Sequence, residues 1–330
     1  MKKVFIAGGT GFLGSAALKR FIENKTGVSA ASRRGGCAGG IIVDSFDFFT
    51  ATKDAIYEYL SEKRFNVFVY ALGPDDRFMP PAPAYDYFHE KLVLRCHDVL
   101  SAAVKAGAER LVVLGSYFSF FDRNFGGKLS MHHPYIRARR EQEKAALSLD
   151  TETVVLELPY IFGVPENGKP LWRDSFLAHF DHYPAVFMTG GGTAATDVHG
   201  VADAVFAAAH CGQGCVPVGG VNILYIELLK KMLRFSGDNR KVIKIPSFIG
   251  ALGARAVKKE YVKNGKEPGL NPVRLMTQIQ NRKFYIDPSE TECALSYDKF
   301  GFHAVSDIDK ELEKTMRACY PERFCNYAKI

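Results

Sequence analysis

No apolar run in this sequence approaches the ~20 residues of a membrane span, and residues 3–7 already read as a strand, leaving no room for a signal peptide before them. A transmembrane protein is excluded on that reading, and a cytoplasmic chain without a membrane partner is expected. Cysteine is present but unpatterned. The seven thiols (37, 96, 211, 215, 293, 319 and 325) are odd in number and scattered, and Cys211 and Cys215 have no second pair or histidine cluster beside them. A disulfide framework and a zinc module are therefore not expected, and neither is any metal, since His132, His133 and His199 are isolated. Internal repeats and low-complexity tracts are also lacking. Nor is charge concentrated: the net +7 is dispersed, the densest groups being Arg33–Arg34, Arg137–Arg140 and Lys258–Lys266. A solvated surface accounts for such a surplus, and nucleic acid is not the expected partner.

Glycine, by contrast, is placed with purpose. Residues Val4 to Ser15 read VFIAGGTGFLGS, an apolar β-type run followed by Gly8, Gly11 and Gly14 and then by an amphipathic helix carrying Phe12, Ala16, Leu18, Phe21 and Ile22. This is a nucleotide-binding turn. Gly8 permits the tight turn off the strand, Gly11 lets backbone approach a pyrophosphate, and Gly14 lets the helix pack on the sheet, so that the free N–H groups of the helix N-terminus face the phosphates.

Short apolar runs alternate with helical patterns through the first 165 residues, which predicts an α/β fold with a Rossmann-type doubly wound parallel sheet. Strands are predicted at 3–7, 27–32, 41–44, 66–72, 110–114 and 153–158, with helices near 12–24, 50–63, 85–106 and 134–149. Residues 1–165 form the expected dinucleotide-binding domain, with a return of about 187–222 to its sheet through a helix at 203–209 and a β-like stretch at 216–222. Residues 166–186 and 223–330 form a smaller, mostly helical substrate subdomain, extended at 283–286.

At the end of the second strand, where NAD-binding folds place an acid for the ribose hydroxyls, the chain has Ser32 followed by Arg33 and Arg34. A carboxylate would repel a 2′-phosphate, whereas guanidinium binds one through charge-assisted hydrogen bonds. NADP(H) is therefore favoured over NAD(H). Asp44, ending the third predicted strand, is placed to meet the adenine edge.

The strand at 110–114 ends in Gly115-Ser116-Tyr117, and Tyr135-Ile136-Arg137-Ala138-Arg139 opens a later helix. With GGTGFLG, ELPYIFGVP at 157–165, the stretch 197–205 and the late segment 283–302, the chain resembles the extended short-chain dehydrogenase/reductase superfamily, which includes nucleotide-sugar epimerases and dehydratases and dihydroflavonol-reductase-like enzymes. The resemblance covers the whole chain. It implies that Ser116 holds a carbonyl oxygen, that Tyr135 exchanges the proton, and that the residue four positions on, here Arg139, stands for the family's lysine. It further implies cofactor contacts from Gly8, Thr10, Gly11, Phe12, Leu13, Gly14, Ser32, Arg33, Arg34, Asp44, Ala71, Leu72, Gly73, Tyr135, Arg139 and Pro159, and a homodimer formed through helices near 85–106 and 134–149.

The departures from the pattern are specific. Arginine stands at 139, Leu158 replaces the arginine of the family's Arg-Pro segment, and Gly115 precedes the strand-end serine. A tyrosine with an ordinary pKa near ~10 needs a close cation to shuttle a proton at neutral pH. Residues i and i+4 share a helix face, so Arg139 can supply one, or it can instead pair with Glu143, as Arg137 can with Glu141. Literal Tyr-x-x-x-Lys spacings at Tyr59–Lys63 and Tyr87–Lys91 lie on the wrong helices. The leading expectation is an NADP(H)-dependent oxidoreductase acting on a carbonyl or secondary alcohol of a small molecule, made apolar or planar by Phe118, Phe120, Phe121, Phe125 and the Trp172–Phe187 segment. The alternatives are a nucleotide-sugar epimerase or reductase, with Arg274 or Arg255 meeting the diphosphate, and a catalytically weakened NADP-sensing or RNA-binding relative.

Overall fold

The computed structural model describes residues 2–166, 168–170, 172–305 and 307–324. Its strands in chain order are β1 (Lys3–Ala7), β2 (Gly27–Ser32), β3 (Gly36–Ala38), β4 (Ile41–Ser45), β5 (Val67–Tyr70), β6 (Arg110–Leu114), β7 (Glu152–Glu157), β8 (Tyr160–Phe162), β9 (Ala185–Met188), β10 (Gly192–Asp197), β11 (Gly214–Pro217), β12 (Val221–Leu224), β13 (Lys241–Lys244) and β14 (Lys283–Phe284). The helices that matter below are α1 (Phe12–Glu23), α2 (Lys53–Ser61), α3 (Ala84–Phe88), α4 (Arg95–Lys105), α5 (Tyr117–Asn124), α6 (Pro134–Leu147), α7 (Val198–Ala208), α8 (Tyr225–Phe235) and α9 (Ser247–Lys263).

The main sheet runs β11-β7-β6-β5-β1-β2-β4-β3. Every neighbouring pair is parallel except β3–β4. Its central strands are apolar along their length because helices cover both faces. Val4, Ile6, Val67, Val69 and Val112 point to the layer of α1 and α7. Phe5, Ala7, Phe68, Tyr70, Leu111 and Val113 point to the layer of α2 and α4. The doubly wound fold expected from the alternation is thus present, and the chain reverses direction across the sheet between β1 and β5. Ligands in such sheets bind at that switch point, beyond the carboxyl ends of the strands.

Three local departures from the sequence expectation have physical causes. Residues 36–45 form a hairpin whose turn residues Gly39 and Gly40 have φ +58° and +82°, the left-handed backbone that two-residue hairpin turns require. The expected strand at 216–222 is divided: Val216 extends the main sheet in β11, whereas Val221 and Asn222 begin β12, which pairs antiparallel with β10 in a separate sheet with β8 and β14. The helix expected over 85–106 is interrupted at residues 89–94 by a wider π-helical turn. A second apolar core, built from Phe162, Val186, Tyr225, Leu229 and Leu312 among others, lies under α8 and the helix Ile308–Cys319. Trp172 joins it, stacked 4.7 Å from Phe162 and donating its indole N–H to the Ile161 carbonyl at 3.0 Å. Phe118 and Phe121 are buried in a third core with Phe284, and Phe120 and Phe125 pack on it. These aromatics are packing residues, which removes their support for an apolar substrate.

Candidate dinucleotide and redox site

The glycine turn leaves β1 at the switch point. Gly8 has φ +98°, and a Cβ there would lie 2.4 Å from the Ala71 carbonyl oxygen, so no side chain fits. Gly14 is held tighter still: its Cβ would fall 2.1 Å from the Gly8 carbonyl oxygen, so only glycine lets α1 approach β1 this closely. Gly11 caps α1 without a side-chain bond and is exposed, and the first turn of α1 holds no acid. The opening N–H groups and positive dipole end of α1 therefore stay available to a phosphate. A cradle that a Cβ would fill, facing an uncapped helix start, fits a dinucleotide pyrophosphate.

Ser32 ends the neighbouring strand, buried, with its hydroxyl donating to the Gly35 carbonyl at 3.4 Å. Arg33 and Arg34 follow, both exposed. Their loop closes beside the glycine turn, since a Cβ on Gly36 would meet the Thr10 methyl at 3.7 Å. Asp44 is differently engaged. Its Oδ2 accepts from the Tyr59 hydroxyl at 2.8 Å and from Lys63 Nζ at 2.7 Å, and the Lys63 hydrogen bond holds its carboxyl below the ordinary carboxylate range. Only Oδ1 remains for adenine. The Tyr59-x-x-x-Lys63 spacing is thus a clasp on Asp44, while Tyr87 stacks on Phe78 and Lys91 pairs with Glu90. Ala71, Leu72 and Gly73 leave β5 at the same edge, with Gly73 at φ +117°, and Pro159 follows β7, buried.

Ser116 caps α5 at the end of β6, 6% exposed, with Oγ accepting the Phe118 N–H at 3.4 Å. Tyr135 opens α6, where Pro134 at the first helical position presets the backbone. The start of α6 is fastened from afar. The Tyr135 N–H donates to the Gly269 carbonyl at 3.0 Å, and the Asn271 N–H donates to His133 Nδ1 at 3.0 Å. Gly269 is a close approach, because a Cβ there would meet Phe88 and Tyr135 at 2.8 Å.

Arg139 does not pair with Glu143. Its Nε donates to the Tyr135 hydroxyl at 2.9 Å, Nη1 to the Leu114 carbonyl at 3.1 Å and to Gln142 Oε1 at 2.7 Å, and Nη2 to the Pro74 carbonyl at 3.4 Å. Glu143 is taken by Arg123 and Arg140 instead, while Arg137 does pair with Glu141 at 3.1 Å. The guanidinium is 7% exposed and makes no ion pair among the described residues. A buried cation without a carboxylate partner is costly unless its donors are satisfied, and here the oxygens of Leu114, Gln142 and Pro74 share them with the tyrosine hydroxyl. Burial raises the Tyr135 phenol above its ordinary value, Arg139 pulls it back, and Asp76 and Asp75 push it up.

Asp76 and Gln142 were not singled out in the sequence. Asp76 lies on the loop after β5, partly exposed, and burial together with the charge of Asp75 raises its carboxyl to about 6, with Arg77 opposing. Asp75 is occupied by Arg77, whose Nε donates to it at 2.8 Å. The charge of Asp76 acts on Tyr135, Tyr160 and Tyr225. Gln142 could have been noticed as the i+3 neighbour of Arg139; nothing in the sequence sets Asp76 apart from other loop acids.

With this geometry in place, the comparisons are specific. Residues 4–215 match the NAD dependent epimerase/dehydratase family, and the chain belongs to that family. Among solved structures it is similar to gox2253, with TM-score 0.72 and 16% identity over 98% of this chain and 99% of that one. It is similar to the Bordetella bronchiseptica enzyme WbmH in complex with NAD+, with TM-score 0.66 and 14% identity over 98% and 99% of the two chains. It is also similar to UDP-glucose 4-epimerase with UDP-glucose from Thermotoga maritima, with TM-score 0.65 and 14% identity over 98% and 99%. At these identities the likeness is one of fold. No curated protein sequence matches the chain. Among the described residues no helix is long and apolar enough to cross a membrane, and no group of side chains could hold a metal ion.

Proposed function

We propose that this chain is an NADP(H)-dependent oxidoreductase of the extended short-chain dehydrogenase/reductase type, acting on a carbonyl or secondary alcohol. The observation that carries the reading is the buried Arg139 guanidinium on the Tyr135 hydroxyl, with its Nη1 on the strand carbonyl of Leu114, two residues before Ser116. A bound nicotinamide supplies or accepts the hydride. Ser116 holds the substrate oxygen, and Tyr135 delivers or takes the proton. Arg139 stabilises the phenolate that proton transfer leaves, and its Nη2, with a single bond to Pro74, has an N–H to offer a ribose hydroxyl. The exposed Arg33 and Arg34, on a loop closing against the glycine turn, take the 2′-phosphate.

A nucleotide-sugar epimerase is the second reading, favoured by solved structures of this fold that hold UDP-glucose and NAD. The same three residues would act twice, in opposite directions, with Arg274 meeting the diphosphate. The sensor or RNA-binding reading recedes because Arg139 is spent on Tyr135 and not on the helix surface. Homodimer formation through α4 and α6 accompanies either enzyme.

The test is to supply NADPH with a panel of ketones and aldehydes, and separately to supply UDP-sugars without added reductant. Stoichiometric NADPH oxidation supports the first reading, and epimer formation without net redox change supports the second. Tight NADPH binding with neither would restore the sensor.

A further inference from the structure

One segment of the chain is strongly basic on balance, and most of it is a single helix and its approach. Residues 241–266 carry seven cations and a single acid, Glu260, a surplus of +6 against +7 for the whole chain. Within this stretch α9 packs through Ala251 and Ala254 on residues 272–279, and most of its circumference is exposed. On the exposed side stand Phe248 (65% exposed), Ile249 (45%), Leu252 (57%) and Val262 (66%).

The order of residues along that side is informative. At helical spacing i, i+4, i+7, i+11, i+15, one row reads Phe248, Leu252, Arg255, Lys259, Lys263, apolar over the first turns and basic over the last. Ile249 lies beside the apolar end. Beyond the basic end Lys266 is exposed too, and the preceding strand β13 leaves Lys241, Ile243 and Lys244 exposed. A soluble helix face of this kind has no reason to expose four large apolar side chains.

We propose that α9 is a docking surface for an anionic phospholipid bilayer, with its amino-terminal turns seated among the acyl chains and its carboxyl-terminal turns among the headgroups. Phe248, Ile249 and Leu252 supply buried apolar area, and Arg255, Lys259, Lys263 and Lys266 meet lipid phosphate and carboxylate. Charge complementarity decides for lipid: the face is cationic with one acid, whereas a protein partner is normally matched by residues of both signs. The expectation of no membrane partner rested on spanning segments alone and does not bear on a helix lying in the interface. The segment after α9 is tied to the candidate site by backbone hydrogen bonds, the Ala82 N–H donating to the Gly265 carbonyl at 3.0 Å and the Tyr135 N–H to the Gly269 carbonyl at 3.0 Å.

The test is sedimentation of the full chain with phosphatidylcholine vesicles, with and without phosphatidylserine, alongside gel filtration without lipid. Binding is expected only to the serine-containing vesicles, weakening as salt rises. Leu252→Asp and the pair Lys259→Glu with Lys263→Glu should each lower it by about tenfold or more. All three positions are exposed, so the variants should fold, with unchanged NADPH binding as the control. Equal binding to both vesicles, no binding to either, or wild-type binding by the variants would overturn the proposal. So would a chain dimer that Leu252→Asp dissociates while vesicles are ignored, which would make the face a seam between two copies.

Discussion

Arg139 Nε sits 2.9 Å from the Tyr135 hydroxyl, while the same guanidinium is pinned by the Leu114 carbonyl and the Gln142 amide oxygen. The cation thus acts on the tyrosine through a direct hydrogen bond and is held by the last residue of the strand that leads to Ser116. Its planar fork is what allows the three anchors at once.

Substitution at this pair separates chemistry from packing. Tyr135→Phe keeps the ring against Phe88, 5.4 Å away, and removes only the hydroxyl, so turnover should fall by about 10²-fold or more with cofactor affinity nearly unchanged. Arg139→Ala should lower turnover similarly and also weaken cofactor binding. Arg139→Lys should retain turnover, yet lose about 1–3 kcal/mol of stability because the Leu114 carbonyl and Gln142 lose buried donors. Kinetics with chemical denaturation checks all three, and an inert Arg139→Ala would contradict the role.

The proposed preference for NADP(H) rests on Arg33. A lost charge-assisted contact to the 2′-phosphate is worth about 1.5–3 kcal/mol. Arg33→Ala should weaken NADPH by roughly tenfold or more and leave NADH little changed. Calorimetry showing that the wild type prefers NADH would refute the assignment.

The proposed proton transfer should depend on the ionisation of Asp76. Burial raises its carboxyl to about 6, and once ionised its negative charge holds the Tyr135 phenol up, opposing the deprotonation that would make the tyrosine a base for alcohol oxidation. Asp76→Asn should remove the inflection near pH 6 from the alcohol-oxidation profile and move the tyrosine limb to lower pH. Superimposable profiles would show that the two groups do not communicate.

His133 sets an acid limit on the fold. It is fully buried, accepts the Asn271 N–H, and is depressed by burial from 6.5 to about 3. Between those values the unfolded chain binds a proton that the folded chain refuses, so stability falls as pH drops below about 6.5. The loss between pH 7 and pH 5 should be about 2 kcal/mol. His133→Asn, which keeps an acceptor for Asn271, should flatten this slope in thermal melts; a parallel decline in both proteins would exclude His133 as its source.

The parallel sheet and glycine turn were legible because their signals are local: a buried strand reads as an apolar run, Gly8 takes a left-handed backbone in the turn, and Gly14 answers to a contact with the turn itself. Tyr135 and Arg139 were legible as a spacing, but their partnership was not, since Glu143 is equally well placed on the helix, and it is claimed instead by Arg140 on the same helix and by Arg123 on α5. Asp44 shows the same limit, its Oδ2 claimed by Tyr59 on α2 and by Lys63 just beyond that helix, neither of which the strand-end position reveals. Phe118, Phe121 and Trp172 read as substrate aromatics because composition cannot distinguish a core from a cleft. The role of α9 was hidden for a related reason: cations spaced along the chain become one surface only when a helix brings them to the same side.

The most direct measurement is a crystal structure of the chain with NADPH bound. The account predicts the pyrophosphate on the amides opening α1, the 2′-phosphate within reach of Arg33 or Arg34, and the nicotinamide ribose hydrogen-bonded to Tyr135 and Arg139 beside Ser116. A nicotinamide lying away from Tyr135, with Arg139 still enclosed by Leu114 and Gln142 and touching no part of the cofactor, would contradict it.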